Sequence, residues 1–321
     1  MPASGAGHRA GSRQIGPYTV VTRLDDRSTA PGAVVPEHRF VARSPDGDRT
    51  VLLSTPVAGV DGQRFMAEAD TSRYLLGPWV LPATELAPPG DRPWHARPYV
   101  PALPLPTALA VYGGPLPERT VRALGVALAE SLAVLHGQRL SHAGLCPAAV
   151  LLAADGPRLT CYGAVRAAAP EGTPRHGVPG LDAGSLPPEQ AAGGQPRPLG
   201  DVYALGATLA YAATGYTAPE RDELPLVLRS LVPRCLARDP AHRPQLADIV
   251  EELASHVVSS PAGSGSAATR AEALLGPGWL PARVIAALAH QSAAVLSAEV
   301  ELSAPAQART DPAVAVPRPS H

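Results

Sequence analysis

Leu124, Leu128, Leu132 and Leu135 recur at steps of four, four and three between Glu118 and Gly137, the spacing that lines one face of a long α-helix. A helix with so apolar a stripe needs a core laid against it, so the rest of the chain must supply that cover. Gly137 suits the left-handed residue that ends such a helix. Two further helices are expected downstream. One runs from Asp201 to about Thr214 with Gly215 as its stop, and the other carries Leu246, Ile249, Val250 and Leu253.

Upstream the pattern changes from helix to strand. YTVVTR from Tyr18, RFVAR from Arg39 and TVLLS from Thr50 are short β-branched or aromatic runs between turn residues, and they fit one twisted antiparallel sheet. Phe65, Met66, Ala69 and Leu75 allow a single helix from Arg64 to Leu76, closed by Gly77 and Pro78. A small sheet with one helix, followed by a mainly helical half, makes an α+β chain in two unequal parts, residues 16–100 and 101–256. SSPAGSGSAAT places a flexible linker at 257–275. Beyond it Val284, Ile285, Leu288, Val295 and Leu296 give an apolar stripe to a last helix at 276–300, with Pro281 in its first turn. Residues 1–15 and 301–321 are expected to be disordered.

Aromatics make up only 4% of the 321 residues and prolines number 38, so the core must rest on Leu, Val and Ala between proline-bounded loops. A formal charge of -1 gives no electrostatic case for nucleic acid or an anionic membrane, and neither is expected as a partner. Cys146, Cys161 and Cys235 are odd in number and form no CxxC pair, which suits a reducing cytoplasm. No uncharged apolar run reaches membrane-spanning length, and no histidine pattern or nucleophile elbow marks a metal site or a hydrolase. Lysine and asparagine are absent altogether. Codon bias explains a general depletion, because surface lysines can drift to arginine. It does not explain the loss of a lysine that must approach a phosphate as a small point charge.

SHAGLCPAAVLL, from Ser141 to Leu152, directly follows the long helix, and LTCYGAVR, LPPEQAAG, DVYALG and CLARDPAHRP come after it in that order. In order and spacing, over about residues 16 to 255, these segments resemble bacterial serine/threonine protein kinases of the actinobacterial type, as a degenerate pseudokinase. The resemblance implies a two-lobed protein-kinase-like fold with a β-rich N-lobe and a larger helical C-lobe. In that family the loop after the long helix carries His-Arg-Asp and, further on, an Asn, with the Asp as base and the Asn holding magnesium. Here His142 and Leu145 match, while Ala143, Gly144 and Ala149 take the places of Arg, Asp and Asn, and Cys146 stands at the loop lysine. Cys161 replaces the metal-binding aspartate ahead of Tyr162 and Gly163. Ser54 stands where the strand lysine belongs, and Glu68 would be the glutamate that pairs with it. The retained positions His142, Gly163, Pro188, Glu189, Asp201 and Arg243 are those that shape the C-lobe in the family, with Glu189 and Arg243 as an implied buried ion pair.

Phosphoryl transfer depends on positioning and on cationic stabilisation of the phosphates. A general base alone is worth about 10² to 10⁴ in rate, and Gly144 has no side chain to act as one. The resemblance therefore implies a catalytically inactive, cytoplasmic binding or regulatory module with a protein partner, and no enzyme. Two alternatives stay open. One is an atypical serine/threonine kinase with displaced metal ligands, for which Asp155, Glu171 and Asp182 are the acidic groups at hand; the other is a nucleotide-sensing pseudokinase. ATP is not expected in the usual pose, because DDRSTAPGAVVPEHRF replaces the glycine-rich loop with one glycine, two prolines and two aspartates. A vestigial pocket falls to Leu52, Glu68, Tyr99 and Leu151, with Leu52 either filling the adenine space or packing as ordinary core. Cys146 and Cys161 are read as a redox-sensitive pair or partial metal site, or more simply as two buried inert thiols. Without an arginine at 143, phosphorylation of Thr173 or Ser185 lacks its usual docking partner, so their segment is expected to be a fixed surface or partner site.

Overall fold

The computed structural model describes residues 13–25, 33–255 and 269–303. The polar start up to residue 12, the loop stretch 26–32, the linker stretch 256–268 and the tail from 304 lie outside the described residues.

The N-lobe sheet is built from β1 (Gln14–Ile15), β2 (Tyr18–Arg23), β3 (Glu37–Arg43) and β4 (Thr50–Pro56), then α1 (Gly62–Ser72), β5 (Glu85–Leu86) and β6 (His95–Pro98). Its strand order is β1-β2-β3-β4-β6-β5, with every neighbour antiparallel. Alternation separates two unlike faces. Phe40, Ala42, Val51, Leu53 and Ala96 join Tyr18 and Trp94 in an apolar cluster on one side. The register sets Arg39 opposite Ser54, Ser54 opposite His95 and Leu52 opposite Arg97, so the other side carries buried polar and charged groups. Gln14 and Ile15 lie in the segment expected to be disordered, yet they pair with Thr19 and Tyr18 across a turn in which Gly16 adopts φ 55°. Asp61 caps α1 by accepting from the Gln63 and Arg64 N–H groups. The helix stops at Ser72, short of the expected Leu76, because the N–H groups of residues 73–75 tighten to three-residue bonds.

The C-lobe holds β7 (Ala102–Pro104), α2 (Leu105–Tyr112), α3 (Glu118–Gly137), β8 (Val150–Ala153), β9 (Gly156–Leu159), α4 (Ala164–Ala168), α5 (Pro188–Ala191), α6 (Pro198–Thr214), α7 (Leu231–Cys235), α8 (Leu246–Ala254), α9 (Arg270–Leu274) and α10 (Ala282–Ser303). β7, β8 and β9 form a second antiparallel sheet, and α3 lies at the centre of the largest apolar cluster, among α6, α8 and α9. A Cβ on Gly125 would sit 2.5 Å from a Leu253 methyl, so the glycine is what lets α8 approach α3 so closely. The left-handed residue after α3 is Arg139, at φ 62°, and not Gly137: the Gln138 N–H first closes the last turn onto carbonyls of Val134, Leu135 and His136. α6 begins at Pro198, three residues ahead of Asp201, because a proline is tolerated in the first turn.

The expected linker is shorter than 257–275. Thr269 and Glu272 make a capping box for α9, and Trp279 is buried with its Nε1 donating to the Ala154 carbonyl. α10 buries Val284, Leu288 and Val295 and packs on α2 and on β2, so it belongs to this domain. Ile285 and Leu296, counted in its apolar stripe from sequence, face solvent. No helix among the described residues is long and apolar enough to cross a membrane.

Candidate functional site

On the C-lobe side of the boundary the loop 141–149 faces the turn 160–164, and Arg39 of the N-lobe reaches Thr160 there. Asp201, in the first turn of α6, accepts from the N–H groups of His142 (2.7 Å) and Ala143 (2.8 Å) and from His136 Nε2 (2.9 Å). That grip holds Ala143 in the left-handed region at φ 50°. Gly163 and Val165 return N–H bonds to the carbonyls of His142 and Ala143, and Cys161 is also left-handed at φ 63°. Left-handed backbone costs a non-glycine residue about 1–2 kcal/mol, so the surrounding bonds enforce it here at two positions. His142 is buried with neither ring nitrogen bonded, and its ring meets Tyr162 edge-on at 5.8 Å. Burial pushes it down to about 4, so the ring is neutral.

Gly144 has no room for a side chain. A Cβ there would lie 1.9 Å from the Cys161 carbonyl oxygen and 3.1 Å from Ala164. Cys146, Ala148, Ala149 and Cys161 form one small buried cluster. Burial pushes the Cys146 thiol up to about 12 and raises that of Cys161 well above the usual range, which leaves both protonated and unreactive.

Ser54 lies in a buried polar network that the sequence reading did not foresee. Its hydroxyl donates to Glu37 Oε1 (3.0 Å) and accepts from Arg97 Nη1 (2.9 Å), which also bonds Glu37 Oε1 at 2.7 Å. Burial works against the Glu37 carboxylate, but the Arg97 guanidinium and His95 hold it well below the usual range. Beside them Arg39, fully buried, forks onto Asp25 and donates to Thr160 Oγ1 across the interlobe boundary. Each guanidinium here has its own carboxylate. The signal was present in EHRFVAR and HARP: charged residues at alternating positions of a strand that is buried on both faces. Glu68 does not reach the Ser54 side. Both of its oxygens bond Arg166 Nε at 2.9 Å, and its carboxylate lies where a Cβ on Gly163 would be.

Leu52 and Leu151 meet in one buried cluster with Leu24, Leu81, Ala102 and Ala153, so apolar side chains of both lobes fill the space between them. Val100, the neighbour of Tyr99, packs against this cluster. Two cavities at the boundary, one bounded by Glu37, Glu68, Arg97 and Cys161 and the other by Gly144, Cys146 and Asp182, are each about 20 Å³, room for about one water, while a wider one of about 620 Å³ opens at its edge between Ala33 and Val34 on one side and Pro147, Ala148 and Asp182 on the other.

The segment 169–194 is pinned rather than loose. Arg175 is buried and donates to the carbonyls of Gln190 and Gly194 at 2.9 Å and of Ala169 and Pro170 at longer range. Pro179, Gly180 and Leu181 then run against Pro36, and a Cβ on Gly180 would lie 2.8 Å from a Val57 methyl, so the segment covers the mouth of the boundary. Pro188 opens α5, and Glu189 of that helix takes a two-pronged ion pair from Arg243 at 2.6 and 2.8 Å. Arg243 is buried, stacks on Tyr203 and also donates to the carbonyls of Ala237 and Leu199. Asp155 pairs with Arg158 at the β8–β9 turn and Glu171 is exposed; among the described residues no three His, Cys, Asp or Glu side chains are grouped to hold a metal.

No protein-family model matches the chain. It is 33% identical over 263 residues to the probable serine/threonine-protein kinase PkwA of Thermomonospora curvata, covering 75% of this chain and 34% of that protein. It is 30% identical over 295 residues to the serine/threonine-protein kinase AfsK of Streptomyces coelicolor, covering 85% and 35%. The chain belongs to the bacterial serine/threonine protein kinase family. It spans about a third of the length of these kinases. The curled sheet and helical half are accordingly the N- and C-lobes of a protein-kinase-like fold, and the boundary just described is where those lobes meet.

Proposed function

We propose that this kinase-family domain is catalytically inactive and acts as a binding or regulatory module for a protein partner. The observation that carries it is Gly144: at the position of the family's base there is neither a side chain nor space for one. Three features add support. Among the described residues, Arg39 and Arg97 on the cleft face are neutralised by Asp25 and Glu37, so neither is a spare cation for a triphosphate. Leu52 and Leu151 close over each other between the lobes. Cys146, Ala149 and Cys161 are buried apolar neighbours with no oxygen donors for magnesium.

A second reading rests on the relatives, which are named as serine/threonine kinases: a phosphotransferase whose metal ligands lie elsewhere. Incubation with Mg·ATP labelled on the γ-phosphate separates the two. The inactive module transfers no label to itself or to a generic protein substrate. Label transfer that is abolished by Asp182→Asn would favour the second reading, and a rise in melting temperature without transfer would indicate a nucleotide sensor.

A further inference from the structure

α10 is apolar on two faces and the domain uses only one of them. Val284, Leu288 and Val295 make the buried side, against α2 and β2. Ala282, Ile285, Ala286, Ala289, Ala293 and Leu296 are spaced by three or four residues. At about 100° per residue they share an arc of about 100°, centred about 130° round the helix from the buried side. All six are exposed, Leu296 at 62%. The alanines alone would mean little, since alanine is the best helix former and this chain is rich in it. Ile285 and Leu296 are different, because they leave large apolar side chains in water near the two ends of the stripe, where a surface helix ordinarily places charge. Positions 284–298 hold no Asp, Glu, Lys or Arg at all.

Charge returns only at the ends of α10, and with opposite sign. Arg283 stands exposed in the first turn; its Nη1 donates to the neutral Tyr112 carbonyl, and among the described residues no carboxylate pairs with it. The sequence puts Glu299 and Glu301 toward the other end. A cover for this stripe must therefore be apolar along its middle, acidic where it meets Arg283 and basic at its far end. A second α10 running the opposite way has that pattern. Antiparallel pairing sets Ile285 of one copy against Leu296 of the other, Ala289 against Ala293, and the Arg283 end of each helix against the acidic end of its partner. Parallel pairing would set acid against acid and arginine against arginine. The small residues in the middle let the two axes approach to about 8 Å.

We propose that the outer face of α10 joins two copies of this chain in an isologous, antiparallel helix pair. A helix of 22 residues, about 33 Å long, buries on the order of 1,000 Å² in such a pair, the size of a reversible complex. The dimer is accordingly expected at micromolar concentration, with a Kd of about 10 µM. It is independent of whether the domain transfers phosphate, and it would offer a partner two domains at once.

Sedimentation equilibrium of the full chain, from about 1 to 200 µM, should show the dimer. Ala289→Glu and Leu296→Glu point away from the domain, so each should keep the melting temperature of the dilute chain while weakening dimerisation at least about tenfold. A short bis-maleimide tests the direction of pairing, since the three native thiols are buried and add no background. A mixture of Ile285→Cys and Leu296→Cys chains should link to each other faster than either links to itself. A chain that stays monomeric throughout the series overturns the proposal, as does a dimer indifferent to both glutamates or self-linking faster than mixed linking. A chain ending at Ser303 checks the other available cover: if it dimerises while the full chain does not, residues 304–321 occupy the face and the proposal fails.

Discussion

At the scale of single residues, the space a side chain would need decides more than its chemistry. Gly144→Asp restores the family's base in name, but its Cβ would collide with a backbone carbonyl, the kind of neighbour that cannot rotate away. The variant is expected to lose about 2 kcal/mol or more of stability and to gain no phosphate transfer; a gain of transfer at unchanged stability would contradict the geometry. Arg243→Ala removes a buried guanidinium from Glu189 and from the three carbonyls of Ala237, Arg238 and Leu199. Because Glu189 keeps some solvent, the expected cost is about 3 kcal/mol, read from urea unfolding, and a near-neutral result would show that the pair is dispensable. His142 links the site to pH. Burial lowers it to about 4, so between pH 4 and the usual 6.5 the unfolded chain binds the proton that the folded one refuses. The stability from the neutral ring is present above pH 6.5 and is lost as pH falls toward 4, roughly 3 kcal/mol in all. His142→Phe should flatten that part of the pH–stability curve, and parallel curves for the two proteins would exclude His142 as the cause.

At the scale of elements, what was legible in the sequence followed from local periodicity. Leu124, Leu128, Leu132 and Leu135 announced α3, and YTVVTR and TVLLS announced strands, because period and turn residues are local properties. What escaped was which partner each charge takes. Arg39 and Asp25 are far from Thr160 in sequence, and Glu68 meets Arg166 across 98 positions, so such pairs exist only once the lobes are assembled. The positions of Gly144 and Cys161 could be set from their motifs, whereas the 1.9 Å clearance between them could not. Arg175 likewise sits in an unremarkable stretch, yet four carbonyls from residues 169–194 converge on it. Arg175→Leu should remove a donor from each of those carbonyls, leaving Gln190 and Pro170 the N–H groups of Gly193 and Thr173, at a cost of about 2 kcal/mol, and raise hydrogen exchange across 170–194 more than in α3. Uniform exchange changes over the whole chain would mean that Arg175 supports the fold at large and does not pin the segment.

At the scale of the whole molecule, the lobes are tied together along their boundary and not only hinged. Arg39 reaches Thr160, Glu68 holds Arg166, Leu52 packs with Leu151, and Pro179–Leu181 cross to Pro36 and Val57. α10 adds a further tie, since it packs on α2 of the C-lobe and on β2 of the N-lobe. A nucleotide entering the usual place would have to part apolar surface and break buried ion pairs, each of which costs several kcal/mol once a partner is removed. The direct test is a calorimetric titration of the full chain with Mg·ATP at millimolar concentration. A closed, inert boundary predicts no saturable heat and no shift in melting temperature, whereas saturable binding, with or without transfer of the γ-phosphate, would contradict it.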